Sequence, residues 1–112
     1  ADGTRLTVGL AIDYSGRSEL MHVMKRMVSE GITADEIDEA AVESRLFTAG
    51  TPDPDLLIRT AGEYRVSNFL LWQIAYSEIH VSEKCWPAFD IDDFDGAMTD
   101  YASRTRKFGT VK

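Results

Sequence analysis

Apolar positions in this chain fall into short solid runs separated by longer amphipathic stretches. Residues 6–12 (LTVGLAI) form a near-continuous apolar run, the pattern of a strand covered on both faces. The turn-forming Asp13-Tyr14-Ser15-Gly16 closes it. Leu20, Met21, Val23, Met24, Met27 and Val28 then recur at helical spacing, with Ser18 as the expected cap and Gly31 as the stop. Thr33 and Glu36 have capping-box spacing and predict a second, short helix reaching about Arg45. Two prolines in Thr51-Pro52-Asp53-Pro54 forbid helix or central strand there.

The second half repeats the alternation. Residues 55–60 read as a strand, and residues 61–67 as a loop. A helix of about ten residues is expected from Asn68, and Ile79-His80-Val81 as a short strand. Trp86-Pro87-Ala88-Phe89 reads as a loop, and a last helix is expected from Asp92 to Lys107. Strands alternating with helices imply βαβ units, hence an α/β fold with a parallel sheet and flanking helices in one domain over residues 1–112. The run at 6–12 asks for more cover than these strands supply, so a missing partner segment is expected.

The chain has 112 residues, 44% of them hydrophobic, and a formal net charge of −7. The acidic balance argues against nucleic acid, whose phosphates favour basic partners. No apolar run approaches the roughly 20 residues that cross a bilayer. Cys85 stands alone, so no internal disulfide forms and a reducing compartment, the cytoplasm, is expected. His22 and His80 are too few and too far apart for a zinc site.

Against that acidic background Arg59 and Arg65 flank one loop that leads to Ser67 and the expected helix start. Helix N-termini offer unpaired N–H donors, and guanidinium forks grip phosphate oxygens. The combination suits a multiply charged anion, most naturally a diphosphate. Each residue also has a plainer reading. The arginines could serve surface ion pairs, and Ser67 could be a helix cap alone. Arg17 could only close its turn, and Glu78 could be a solvated carboxylate. Glu63, between the arginines, is expected to orient them by ion pairing. The acidic segment Asp90-Ile91-Asp92-Asp93-Phe94-Asp95 fits a helix start better than a metal loop, because Phe94 stands where an EF-hand ligand should be.

The run DLLIRTAGEYRVSNFLLWQIAYSEIHV closely resembles the signature of cis-prenyltransferases, the undecaprenyl or decaprenyl diphosphate synthase family. The resemblance continues through Trp86-Pro87-x-Phe89, the acidic segment, and Arg104-x-Arg106-Lys107-Phe108-Gly109. Upstream, Asp13-Tyr14-Ser15-Gly16-Arg17 is similar to the family's Asn-Tyr-Gly-Gly-Arg turn, with Asp13 and Ser15 as departures. Nearly the whole chain is covered, and it matches the C-terminal half of longer family members.

The resemblance implies a half-domain that binds isopentenyl diphosphate and condenses it onto an allylic prenyl diphosphate, forming a cis double bond. It gives Arg59, Arg65 and Ser67 the homoallylic diphosphate, with Arg17 beside them. Gly109, in a C-terminal element where Lys107 replaces the usual Arg, would reach a neighbouring subunit's site. Glu78 would take part in binding Mg²⁺. The principal aspartate, in an Asp-Gly-Asn-Gly-Arg loop, belongs to the other half and is not in this sequence. A homodimer in the cytoplasm is implied, with peripheral membrane association through the lipid product. The alternative is a non-catalytic accessory subunit or an inactive fragment of a prenyltransferase.

Overall fold

The computed structural model describes residues 5–104. Helix α1 (Gly16–Ser29) is followed by a 3-10 turn (Ala34–Glu36) and the short α2 (Glu39–Glu43). Strands β1 (Leu56–Arg59) and β2 (Glu78–Val81) pair in parallel, Leu56 beside Glu78 and Arg59 beside Val81. A second 3-10 turn (Trp86–Ala88) leads into α3 (Ile91–Ala102), which packs on β2. The α/β class and the parallel sheet with flanking helices are as the alternation predicts.

Several boundaries differ from expectation. Ser15, not Ser18, caps α1: its backbone is extended, and its Oγ accepts from Ser18 N at 3.4 Å. The capping box at Thr33 and Glu36 forms, but its helix lasts three residues because Ile37 and Asp38 turn extended. Asp38 then caps α2 through Ala41 N at 2.8 Å. Helix α3 stops at Ala102, where Ser103 caps it, short of the expected Lys107, which lies outside the described residues. Its acidic start behaves as anticipated: Asp90 and Asp93 form a reciprocal capping box, favourable at the positive end of a helix.

Two expected elements do not form. Residues 6–12 join no strand ladder, and Leu6, Val8, Leu10 and Ile12 are 71–81% exposed. A strand is defined by its partner, and neither β1 nor β2 pairs with this run. Residues 68–76 form turns, not an α-helix. Ser67, Asn68 and Leu70 have φ of 49°, 62° and 43°, the left-handed region, which cannot propagate a right-handed helix. Ser67 is therefore not a helix cap.

Asn68 accounts for this bend. Its carbonyl accepts from Gly16 N at 2.7 Å and its Oδ1 from Arg17 N at 2.9 Å, while its Nδ2 donates to Ser15 Oγ at 2.6 Å. The first free N–H groups of α1 are thus satisfied by a distant side chain and its backbone. Gly16 is required at this contact, since a Cβ there would stand 2.7 Å from Leu71 Cγ.

The apolar core lies in the helical layer, where Val23, Met27 and Leu46 are buried with Leu20, Ile32, Val42 and Trp72 against them. Beside it sits a buried carboxylate. Glu19, 1% exposed, accepts from Tyr14 Oη at 2.5 Å, Gln73 Nε2 at 3.0 Å and Phe47 N at 2.7 Å. Burial, then the adjoining Glu19, raises the Tyr14 phenol above its ordinary range. This one side chain joins three segments of the helical layer. Glu19→Ala should strand three donors and lower stability by about 2–4 kcal/mol. Val28→Ser, at a position 82% exposed, should stay within about 0.5 kcal/mol. Urea unfolding of both variants checks the contrast.

Candidate functional site

Parallel strands bring the loops that follow β1 and β2 to the same end of the sheet. Ligands of α/β proteins bind there. The two loops are tied together: Ala61 N donates to Lys84 O at 2.8 Å and Gly62 N to Ser82 O at 2.7 Å. Ala61 and Gly62, both left-handed at φ 63° and 65°, make the tight turn that begins the arginine loop.

Arg59 ends β1 and Arg65 lies six positions on. Glu63 bridges them: one carboxylate oxygen takes Arg59 Nη2, and the other takes Arg65 Nη2 at 2.9 Å. Hydrogen bonding from Arg59, then the charge of Arg65, holds the Glu63 carboxyl below the usual range, so it is ionised near neutrality. The ion pairing expected of Glu63 is present with both arginines. Arg65 remains 65% exposed, open to a ligand from solvent.

A cleft of about 450 Å³ opens beside this group. Side chains alternate along strands, so Leu57 and Arg59 share a face with Ile79 and Val81, and these four line it with Tyr64 and Val66. A second cleft, about 430 Å³, holds Arg59, Glu63 and Arg65 together with Ile58, Phe69 and Trp86. The arginine loop is the shared wall, cationic and flanked by apolar surface on both sides.

The remaining candidates lie elsewhere. Arg17 is exposed and lines neither cleft, although its backbone N–H reaches the arginine-loop side of the molecule through Asn68. Glu78 stands at the opposite end of the sheet from Arg59, because it pairs with Leu56. Its carboxylate faces Arg104 Nη1 at 3.4 Å. No described group of three His, Cys, Asp or Glu side chains is placed to hold a metal ion, so these residues do not by themselves fit a resident Mg²⁺. Gly109 lies outside the described residues.

Arg104 and His80 carry a network the sequence did not reveal. Arg104 donates to Asp100 Oδ2 and to Ile79 O, both at 2.7 Å, and His80 Nδ1 lies 2.8 Å from the same Asp100 oxygen. Arg104, Asp100 and His80 form the far wall of the first cleft. The spacing of Asp100 and Arg104, four residues apart at the end of a helix, was the available signal.

Residues 1–109 match the family model of undecaprenyl diphosphate synthase, a prenyltransferase family. The chain belongs to that family. It is 49% identical over 111 residues to an isoprenyl transferase of Rhodopirellula baltica and 44% identical over 114 residues to one of Oceanobacillus iheyensis. These alignments cover 96% and 98% of this chain but 45% of each relative, so the chain spans about half the length of the curated relatives it matches. Among solved structures, lavandulyl diphosphate synthase from Lavandula x intermedia, in complex with dimethylallyl diphosphate, superimposes with a TM-score of 0.82 at 39% identity. That match covers 88% of this chain and 44% of the synthase. In this prenyltransferase chain, Arg59 and Arg65 of the arginine loop line the first cleft on one side and Arg104 on the other.

Asp100 also gives the far wall a pH signature. Hydrogen bonding from His80, then from Arg104, holds its carboxyl below the usual range. A carboxylate depressed by folding contributes stability that is complete above the unfolded pKa, about 3.9, and lost as pH falls through the lower folded value. The Tm gap between the parent chain and Asp100→Asn should therefore be full at pH 5 and close towards pH 2. Thermal melts across that range measure it.

Proposed function

We propose that this chain is the isopentenyl-diphosphate-binding half of an undecaprenyl-type cis-prenyltransferase. The observation that carries the reading is the meeting of Arg59 and Arg65 at the carboxyl end of β1, beside a cleft with apolar flanks. A diphosphate needs several donors fixed in one place, and guanidinium forks supply them. An isoprenyl group needs adjoining apolar surface, which Leu57, Ile79 and Val81 offer.

In the reaction, the double bond of isopentenyl diphosphate attacks C1 of an allylic diphosphate. The C–O bond of the allylic partner breaks, diphosphate departs, and loss of a proton leaves the cis double bond. Arg59 and Arg65 hold the diphosphate that is retained. Their contribution is orientation, a term that can reach several kcal/mol. Ser67, two residues beyond Arg65, would add a hydroxyl donor to the same group. Arg17, from outside both clefts, and Gly109 in the C-terminal element are the further substrate contacts that the family motif implies.

The allylic diphosphate and the principal acid belong, on this reading, to the N-terminal half of the complete protein. Mg²⁺ would arrive with the substrates; Glu78, at the opposite end of the sheet from Arg59, would lend its carboxylate only across a subunit contact, to phosphate-bound Mg²⁺ in a neighbouring site. A homodimer in the cytoplasm belongs to the same proposal. Peripheral membrane association through the lipid product is part of the same proposal; no helix among the described residues is long and apolar enough to cross a membrane.

Incorporation of labelled isopentenyl diphosphate into lipid tests the assignment. The chain alone should be inactive, and mixing it with the N-terminal half of the Rhodopirellula baltica relative should restore turnover. No turnover in either sample, with no binding of isopentenyl diphosphate, would point to the accessory-subunit reading. Arg59→Ala and Arg65→Ala should each weaken isopentenyl diphosphate binding by about 30-fold or more, the loss of a charge-assisted contact of roughly 2–3 kcal/mol. Melting temperatures within a few degrees of the parent would show that the loss is not unfolding.

A further inference from the structure

The ion pairs of the arginine loop have a consequence for which anions the loop accepts. Both guanidiniums are already engaged by one carboxylate, Glu63, which gives one oxygen to each. An incoming anion must share these donors with Glu63 or displace it. The backbone just before it is held in place, because Ala61 and Gly62 are bonded to the loop after β2. The Glu63 side chain, about one-third exposed, is the part able to move.

We propose that Glu63 is a specificity-determining residue, an internal stand-in for the ligand that sets a charge threshold and admits diphosphates while excluding singly charged and monophosphate anions. The inference rests on the proposed binding of a diphosphate at Arg59 and Arg65. Its physical basis is an exchange of ion pairs. Displacing Glu63 costs two charge-assisted contacts, one to each arginine. A singly charged anion brings back no more charge than it removes and must shed its own water, so it gains nothing. Inorganic phosphate, with at most two charges spread over one small group, recovers little more. A diphosphate brings a higher charge and more oxygens, enough to engage both guanidinium forks at once.

The chain's acidity strengthens the threshold. Glu83 lies against the same turn, its Oε2 within 2.7 Å of where a Gly62 Cβ would stand. Arg59 and Arg65 therefore act in a negative surrounding, and a weakly charged anion feels little net attraction at ordinary ionic strength.

Calorimetric titration with inorganic diphosphate and with inorganic phosphate tests the proposal, using the parent chain, Glu63→Gln and Glu63→Asp. Glu63→Gln should raise affinity for phosphate by about tenfold or more and for diphosphate by less, so the preference for diphosphate shrinks. Glu63→Asp, which keeps the charge, should restore the preference. Circular dichroism establishes that each variant is folded, and Glu63→Ser repeats the neutralisation should Gln fail to fold. If the parent binds diphosphate and neutralisation leaves phosphate binding unchanged or weaker, Glu63 only positions the arginines and the threshold is refuted. Absence of diphosphate binding in every variant would overturn the binding site itself.

Discussion

Two guanidiniums on one short loop repel each other, and in this chain an anion from within the loop lies between them. Glu63 stands between Arg59 and Arg65 in sequence and in space, and its charge offsets part of their mutual repulsion. The folded chain can therefore keep its cationic loop assembled before any ligand arrives. On the proposed reading, the carboxylate that stabilises the loop also competes with the diphosphate that binds it, so folding and recognition would draw on one set of ion pairs.

The loop is also fixed mechanically. Its beginning is bonded to residues 82 and 84, which places it at the carboxyl end of the sheet. Its far end runs into Asn68, which closes the N-terminus of α1 with three hydrogen bonds. The sheet layer and the helical layer thus meet at the two ends of one segment. Positive φ at Ser67, Asn68 and Leu70 is the local cost of that junction, roughly 1 kcal/mol or more for each such residue. Hydrogen bonds at 2.6–2.9 Å to the α1 terminus offset it.

The distribution of apolar surface is consistent with the span of the relatives. The buried core is small and lies mainly in the helical layer, with Ala97 of α3 buried against the sheet side, while both strands are only half-buried. Leu6, Val8, Leu10 and Ile12 lie exposed, an arrangement that the hydrophobic effect opposes. Relatives matched over nearly all of this chain extend to more than twice its aligned share.

Much was legible from residue order alone. The alternation of elements, the strand that reaches Arg59, the capping box at Thr33, the acidic opening of the last helix and the loop flanked by two arginines all follow from local chemistry, which acts between residues a few positions apart. The family resemblance is legible for the same reason, since its motif is contiguous. Tertiary structure alone decided the rest, because it depends on partners distant in sequence. Asn68 bends away from a helix to cap α1, fifty residues upstream, overriding the apolar spacing of 68–76. The run at 6–12 has strand composition, yet a strand exists only where another offers it a ladder. Arg59 and Glu78 are assigned to one substrate site by the family motif, but parallel pairing sets them at opposite ends of the sheet. Sequence determined which charges this protein carries and in what local order; only the pairing of distant segments decided which of them face one another.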